Sequence, residues 1–361
     1  MDKSDPSAFE RPDQAAGLET RPLFVDLDGT LIKGDSLWEA AAALAGQNLF
    51  SFIVACLALL RGRAAFKRAV AERMKFSLAD VKLNDSVFSF TKTESEIRPV
   101  ILATAADRQI AQSIAQEAGF FSGVIASDKD ANLKGAQKLK AIEAYLAQHG
   151  FDGAFDYVGD SKADRPIWAR AVTAYAVAPD EAAARHVANT SSNVSWIQGK
   201  AATPKDFLKA MRLHQWVKNV LIFLPLALSH QLLDTTKVLQ AFAAFAAFSL
   251  CASATYIIND ILDIRADRRH ATKHVRPFAA ARISIPQGIV AAAVLFALSF
   301  SIALTFTSII VVALLCGYIL FTLTYSLYLK EKLLVDAMAL GLLYGYRIII
   351  GGAAAAVLVS D

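Results

Sequence analysis

The fold class predicted for this 361-residue chain is an α/β Rossmann-like domain with a helical cap, followed by an all-α multi-span membrane bundle. Three observations carry that expectation. Leu23-Phe24-Val25 is a short apolar run that delivers a carboxylate-rich segment at its end, as the strands of an open α/β sheet deliver ligand-binding residues. Apolar runs at roughly 219–233, 237–258, 286–305, 308–329 and 333–358 approach the ~20 residues a bilayer crossing needs. Basic residues gather before the first run, after the second and after the fourth, which marks one face as cytoplasmic.

Composition agrees with two unlike halves. The chain is 55% hydrophobic with a mean hydropathy of +0.39, too apolar for an ordinary soluble enzyme. The excess lies beyond residue 215, and a domain boundary is expected before it. The net charge of +4 decides little beyond its placement, and nucleic acid is not an expected partner. Residues 1–20 are polar and read as a disordered tail, without the apolar core of a signal peptide. Cys56, Cys251 and Cys316 are scattered through apolar runs, so buried free thiols are expected rather than a disulfide or a metal set.

In the soluble half, the first strand ends in Asp26-Leu27-Asp28-Gly29-Thr30. A second strand, Val100-Ile101-Leu102-Ala103, ends in Thr104. Lys134 sits in Leu133-Lys134-Gly135 at the opening of a helix. Asp156-Tyr157-Val158 leads into Gly159-Asp160-Ser161-Lys162-Ala163-Asp164. These four motifs, in this order, resemble the haloacid dehalogenase (HAD) superfamily of aspartyl phosphatases over residues 21–180. The resemblance implies that Asp26 attacks phosphorus and that Asp28 serves as general acid and then base. It implies that Thr104 and Lys134 hold the phosphoryl oxygens. Asp26 and Asp160, with Asp164, would hold Mg²⁺.

Residues 33–96 read mostly helical and are expected to cap that site. Within them, Leu49 to Leu60 is nearly all apolar but too short to span. A buried cap helix is the plain expectation, and an interfacial helix that meets a lipid-borne substrate is the alternative. Residues 181–204 read as a linker.

The membrane half, 205–361, carries its chemistry where the second apolar run meets a basic loop. Asn259-Asp260-Ile261-Leu262-Asp263-Ile264-Arg265-Ala266-Asp267 spaces Asp260, Asp263 and Asp267 by three and four residues. A continuing helix would line them on one face. Clustered carboxylates stay ionised most easily around a divalent cation, and Mg²⁺ takes one or two carboxylates together with substrate phosphates. Lys273, Arg276 and their basic neighbours follow. Arg212 to Asn219 precedes the first run and includes Trp216 and Lys218.

Together with Tyr325 to Lys330, then Asp336 and Arg347, these motifs resemble the UbiA superfamily of intramembrane prenyltransferases. The pattern is nearest the branch that includes decaprenyl-phosphate phosphoribosyltransferase. That resemblance implies transfer of 5-phosphoribose from phosphoribosyl pyrophosphate (PRPP) to a polyprenyl phosphate. Asp260, Asp263 and Asp267 would hold Mg²⁺ on the leaving diphosphate. Lys273 and Arg276 would offset its charge, and Asn259 would orient a carboxylate or coordinate directly. Lys218, Asn219, Tyr325 and Lys330 would contact substrate at the entrance. Two other readings stay open: a prenyl diphosphate donor with an aromatic or lipid acceptor, and a membrane-tethered HAD phosphatase only. Superfamily members have more spans than these five, so the bundle is expected to be incomplete, with the carboxyl end truncated. The expected location is the inner (plasma) membrane, with the HAD domain in the cytoplasm.

Overall fold

The computed structural model describes residues 21–74, 76–128, 132–178, 194–198, 202–329 and 333–356. The chain divides near Ala201 into two compact units.

The first unit is built on six parallel strands: β1 (Leu23–Val25), β2 (Val100–Asp107), β3 (Gly123–Ser127), β4 (Asp156–Gly159), β5 (Ala174–Ala178) and β6 (Val194–Gln198). Their order is β3-β2-β1-β4-β5-β6. Register pairs Val25 with Leu102 on one side and with Val158 on the other. The strand order therefore reverses at β1. In open α/β sheets the crevice at the carboxyl ends beside such a switch point is where ligands bind.

Alternation along each strand sorts side chains between two cores. Leu23 and Val25 join Val100, Leu102, Ile110 and Ile114 on one face. Phe24 joins Ile101, Ile142, Leu146 and Trp168 on the other. Strand β6 falls inside the stretch 181–204 that the sequence analysis treats as linker. Its Val194-Ser195-Trp196-Ile197 segment has the β-branched and aromatic side chains that favour a strand, and it pairs with β5. The α/β unit is thereby one strand larger than expected.

At the amino-terminal edge of the sheet lies a buried ion cluster. Arg98, just before β2, places Nη1 2.5 Å from Asp156 Oδ2 and Nε 2.7 Å from Glu94 Oε2. The Thr173 amide donates to Asp156 Oδ1 at 2.9 Å. The Arg98 and Asp156 side chains are fully buried. Arg21 Nε also reaches Asp156, at 3.2 Å, so removing Arg98 takes one of two cations from Asp156 and the partner from Glu94, at a cost of up to ~3–5 kcal/mol. Arg98→Met is accordingly expected to lower the unfolding free energy by about that amount, read by denaturant titration of the α/β unit's unfolding transition.

The segment between β1 and β2 is helical: Ser36–Gln47, Leu49–Leu57, Arg63–Arg73 and Asp85–Ser95, with short 3-10 turns at Ala58–Arg61 and Leu78–Asp80. In the Leu49–Leu57 helix only Ala55 is fully buried, which corrects the plain expectation of a buried cap helix.

Among the described residues of the second unit, three helices are long and apolar enough to cross a membrane: Thr235–Leu262, Ile285–Phe306 and Ile309–Tyr328. The first is central, with 61% of its apolar window buried against 22% and 28% for the other two. It buries small side chains, among them Ala241, Ala244, Ala247, Ser249, Ala252 and Ser253. Small residues let helix backbones approach where no hydrophobic drive separates protein from lipid. The run expected at 219–233 is instead a 3-10 stretch, Leu213–Phe223, followed by a one-turn helix, Leu224–Leu228. Pro225 opens that turn, where its missing N–H costs nothing. The fifth run forms the helix Leu333–Ala355. Gly351 in that helix lies against the Ile222 carbonyl so closely that a Cβ would stand 2.0 Å from the oxygen. All three cysteines are free, but Cys56 is partly buried and Cys316 exposed, so only Cys251 is the buried thiol expected.

Candidate functional site

The carboxyl ends of β1, β2 and β4 bring the HAD motif residues together. Asp26 follows β1 directly and is 7% exposed. Its Oδ1 accepts the Leu27 amide at 2.8 Å. Thr104, within β2, is fully buried and accepts the Ala106 amide at 3.0 Å. Asp160 follows β4 and accepts the Thr30 hydroxyl at 3.3 Å. Gly29, with φ +74°, crosses directly over Asp160, and a Cβ there would meet Oδ2 at 2.1 Å. A side chain there would have to displace the Asp160 carboxylate as well as adopt a left-handed backbone, so glycine is favoured on both grounds.

The lysine of the site is Lys138. It lies one helical turn beyond Lys134, and its Nζ stands 3.0 Å from Asp26 Oδ2 and 3.1 Å from Asp164 Oδ1. Lys134 is exposed at the mouth of the same helix, so its assignment to the site is corrected. The helix Ala136–Gln148 begins only after Gly135, and its first inward-facing position is Lys138. Lys138→Ala is expected to cut phosphate-ester turnover by about 10²-fold, on the scale of one lost charge-stabilising donor. Lys134→Ala, a surface change, is expected to leave turnover within about twofold. Steady-state kinetics on the two variants checks both.

Asp164 positions Lys138. Its Oδ1 also accepts the Tyr157 hydroxyl at 2.8 Å, while its Oδ2 accepts the Ser161 amide at 3.1 Å and hydroxyl at 2.9 Å. Burial disfavours the charged Lys138 ammonium, but Asp26 and Asp164 outweigh it and raise its pKa. Burial and the Asp164 carboxylate likewise push the Tyr157 phenol up.

Carboxylate crowding has a clear electrostatic signature. Burial is the main cause of each shift. It raises Asp160 to about 8, with Asp26 and Asp164 adding repulsion. It raises Asp26 to about 6, against the pull of Lys138. Asp28, half-buried and accepting the Ser36 amide at 2.7 Å, is raised to about 7 by burial and by Asp35. A carboxyl at that level is suited to donate a proton near neutrality. Asp26, Asp160 and Asp164 offer oxygens that all lie within 4.8 Å of one another. Such an all-oxygen, like-charged group fits a hard divalent cation.

In the membrane unit, Asp260 and Asp267 converge on arginines. Asp260, 3% exposed, pairs with Arg212 Nη2 at 2.5 Å and Arg276 Nη1 at 3.2 Å. The same Arg276 atom lies 2.7 Å from Asp267. The helix does not continue through the motif as expected. It ends at Leu262, and a short helix restarts at Ile264, with Asp263 at the break. Asp263 is partly exposed there. Asn259 keeps Oδ1 buried without a hydrogen-bond partner. An orphaned buried acceptor beside carboxylates also fits an oxygen-seeking cation.

The loop that carries Arg276 is anchored by Phe278. Its ring is buried and occupies the space a Cβ on Gly288 would need, 2.4 Å from the ring edge. Arg268 adds a bond from Nε to the Ala279 carbonyl at 3.0 Å.

Asn219 is buried in a second polar cluster. It donates to Ser249 Oγ at 2.9 Å and accepts from Arg347 Nε at 2.8 Å. Arg347 also stacks over Phe248 and Tyr344, at 5.4 and 5.3 Å. Lys218 is exposed, with Nζ 5.9 Å from the Tyr344 ring centre. Lys273 is exposed in the loop. Tyr325 opens a π-helical turn, Tyr325–Leu329, a local widening frequent at functional positions. Lys330 lies outside the described residues.

Two residues not assigned to the site from the sequence are Arg212 and Arg347. Arg212 has φ +52°, a left-handed cap after Met211 that turns its guanidinium toward Asp260. No local sequence signal marks that conformation for arginine. Arg347 was named from the sequence for the resemblance but given no role; a cation inside an apolar helix is costly unless it is partnered, which is the signal that would have assigned it one.

Residues 23–168 match the family model of haloacid dehalogenase-like hydrolases, and residues 220–360 match that of the UbiA prenyltransferase family. The chain thus resembles two kinds of enzyme domain joined in one sequence, an arrangement in which the second half carries helices long and apolar enough to cross a membrane. Uncharacterized protein y4nM of Sinorhizobium fredii is 38% identical over 341 residues, covering 91% of this chain and 63% of that protein. Decaprenyl-phosphate phosphoribosyltransferase of Corynebacterium glutamicum is 34% identical over 169 residues, covering 45% of this chain and 51% of that enzyme. The enzyme of that name from Mycobacterium tuberculosis is 37% identical over 151 residues, covering 41% of this chain and 50% of the enzyme. The chain thus spans 63%, 51% and 50% of the length of these three relatives.

Proposed function

We propose that the membrane unit transfers a diphosphate-activated group, 5-phosphoribose from PRPP, to a polyprenyl phosphate, and that the HAD unit then removes the ribose 5-phosphate from the product. The observation that carries the first step is the convergence of Asp260 and Asp267 with Arg212 and Arg276 at the end of a membrane-crossing helix. A diphosphate leaving group needs cations to take its growing charge, and two guanidiniums already point into one place. Asn259, Asp260, Asp263 and Asp267 would hold Mg²⁺, which when bound neutralises the leaving diphosphate. Arg276 and Arg212 would then exchange a carboxylate partner for phosphate oxygens. Lys218, Asn219, Lys273, Tyr325 and Lys330 are proposed to bind the remaining phosphate and ribose groups.

In the HAD unit, Asp26 attacks phosphorus, Asp28 protonates the leaving ribose oxygen and later activates water, and Thr104 and Lys138 hold the phosphoryl oxygens. Asp26 and Asp160 would hold a second Mg²⁺, with Asp164 fixing Lys138 beside it. Both units would meet the substrate at the cytoplasmic face of the inner membrane, where the basic loops lie.

The test supplies membranes holding the full chain with Mg²⁺, polyprenyl phosphate and radiolabelled PRPP. Label entering the lipid phase supports transfer, and release of inorganic phosphate from that lipid supports the coupled step. Label that enters lipid only from a radiolabelled prenyl diphosphate would replace PRPP as the donor. No lipid label from either donor would overturn the transferase reading.

A further inference from the structure

The cap of the HAD unit carries an apolar surface that the proposed chemistry does not use. Along Leu49–Arg61, Phe50, Ile53, Leu57 and Leu60 are exposed by 76%, 50%, 60% and 88%. Their spacing of three and four residues places them on one helical face. The opposite face packs inward through Phe52, Ala55 and Cys56. A helix apolar on both faces is expected only where neither face meets water. Nine residues in Leu49–Leu57 and four in Ala58–Arg61 make 13, too short to cross a bilayer.

We propose that this outer face docks on an anionic lipid bilayer surface, so that the cap lies in the membrane interface. Three observations select a bilayer as the occupant. Among the described residues the same chain carries three helices able to cross a membrane, so the cap is covalently joined to a unit that a bilayer would hold. Apart from Lys67, whose ammonium turns to the cleft, the chain from residue 61 to 73 bears Arg61, Arg63, Arg68 and Arg73 against one acid, Glu72, and Arg61 is exposed beside Leu60. Apolar side chains flanked by cations describe an interfacial helix, in which burial and attraction to anionic headgroups add.

The third observation links the surface to the cleft. The next cap helix, Arg63–Arg73, places Lys67 in the wall of the cleft that contains Asp28, Ser36 and Asp107. Lys67 Nζ is fixed there by the Ala105 carbonyl at 3.0 Å. A cap seated in the interface would hold that cleft where a lipid-borne phosphate travels. The docking claim itself stands whether or not phosphoribose is the group transferred, because it concerns position and not turnover.

The test measures depth in the full chain. Cys56, Cys251 and Cys316 are replaced, and single cysteines are introduced by Phe50→Cys, Leu60→Cys and, as a control, Lys140→Cys on an exposed helix face. Each carries an environment-sensitive fluorophore, in vesicles of phosphatidylglycerol and phosphatidylethanolamine. Quenching by nitroxide-labelled lipid chains is compared with quenching by iodide. The expected result is strong nitroxide quenching and iodide shielding at positions 50 and 60, with the reverse at 140.

In a fourth chain, Phe50, Ile53, Leu57 and Leu60 are changed to Gln and the label is placed by Leu59→Cys. Nitroxide quenching should be lost there, since each buried apolar side chain shifts the docked equilibrium by about tenfold or more. An unchanged circular dichroism spectrum would show that the fold is kept, since the replaced side chains are exposed. Iodide quenching at 50 and 60 equal to that at 140 would overturn the proposal and leave the face in water. Shielding from both quenchers, with cross-links to the membrane unit or to a second chain, would also overturn it and identify a protein occupant.

Discussion

An Asp26→Asn chain is expected to lose phosphate-ester hydrolysis by at least about 10³-fold, because the amide cannot form the aspartyl-phosphate. The change is nearly isosteric, and its Oδ1 acceptor for the Leu27 amide is retained. It also removes one of three crowded carboxylates, so folding stability should not fall. A phosphate-release assay checks the first point and thermal unfolding the second. Because Lys138 pairs with Asp164 as well as Asp26, its position survives the substitution. A turnover loss therefore reports the missing nucleophile and not a displaced lysine. Activity within tenfold of the parent would remove Asp26 from the nucleophile's role, and with it the dephosphorylation step.

Asp260→Asn is expected to reduce transfer of label from PRPP into lipid by about 10²–10³-fold, the scale of losing one preorganised charge at a developing anion. The residue holds Arg212 at 2.5 Å and Arg276 at 3.2 Å, so the substitution removes the charge that aims both guanidiniums. Arg276→Lys tests the same arrangement from the other side. A lysine keeps the charge but lacks the planar fork that matches diphosphate oxygens, and should recover only part of the activity. Hydrolysis by the HAD unit should be unchanged in both variants when a soluble phosphate ester is supplied. If Asp260→Asn transferred label at the parental rate, the aspartate cluster would have no part in the reaction.

How much of the site was legible from the sequence differed with the distance over which each residue acts. The places of Asp26 and Asp160 were legible because each directly follows a strand, with Asp28 two residues past Asp26, and a short apolar run with the residue after it specifies a position at the sheet's end. Thr104 falls within β2 because that strand runs four residues beyond Ala103, to Asp107. The lysine was misplaced by one turn because sequence marks the start of a helix better than the face it turns inward. Gly135 has φ +59°, which delays the helix and makes Lys138 the inward position. In the membrane unit the spacing of the aspartates suggested a single face. The helix instead breaks at Asp263, and Asp267 in the short helix beyond it pairs with Arg276 from the following loop, a long-range contact that spacing does not encode. Strand β6 was missed because its stretch is flanked by polar residues that read as linker.

The sequence alone determined the two-part architecture, the strand-end carboxylates and the apolar length of the membrane helices, because each depends on periodicity and composition within a few residues. Tertiary structure alone decided that Lys138 closes on Asp26 and Asp164, that Arg212 and Arg276 converge on Asp260, and that one apolar cap face is left outside the core. Those outcomes depend on which faces of distant segments are brought together. Only the packing of β1 between β2 and β4, and the contacts that bring Arg212 and Arg276 to one aspartate, supply that information.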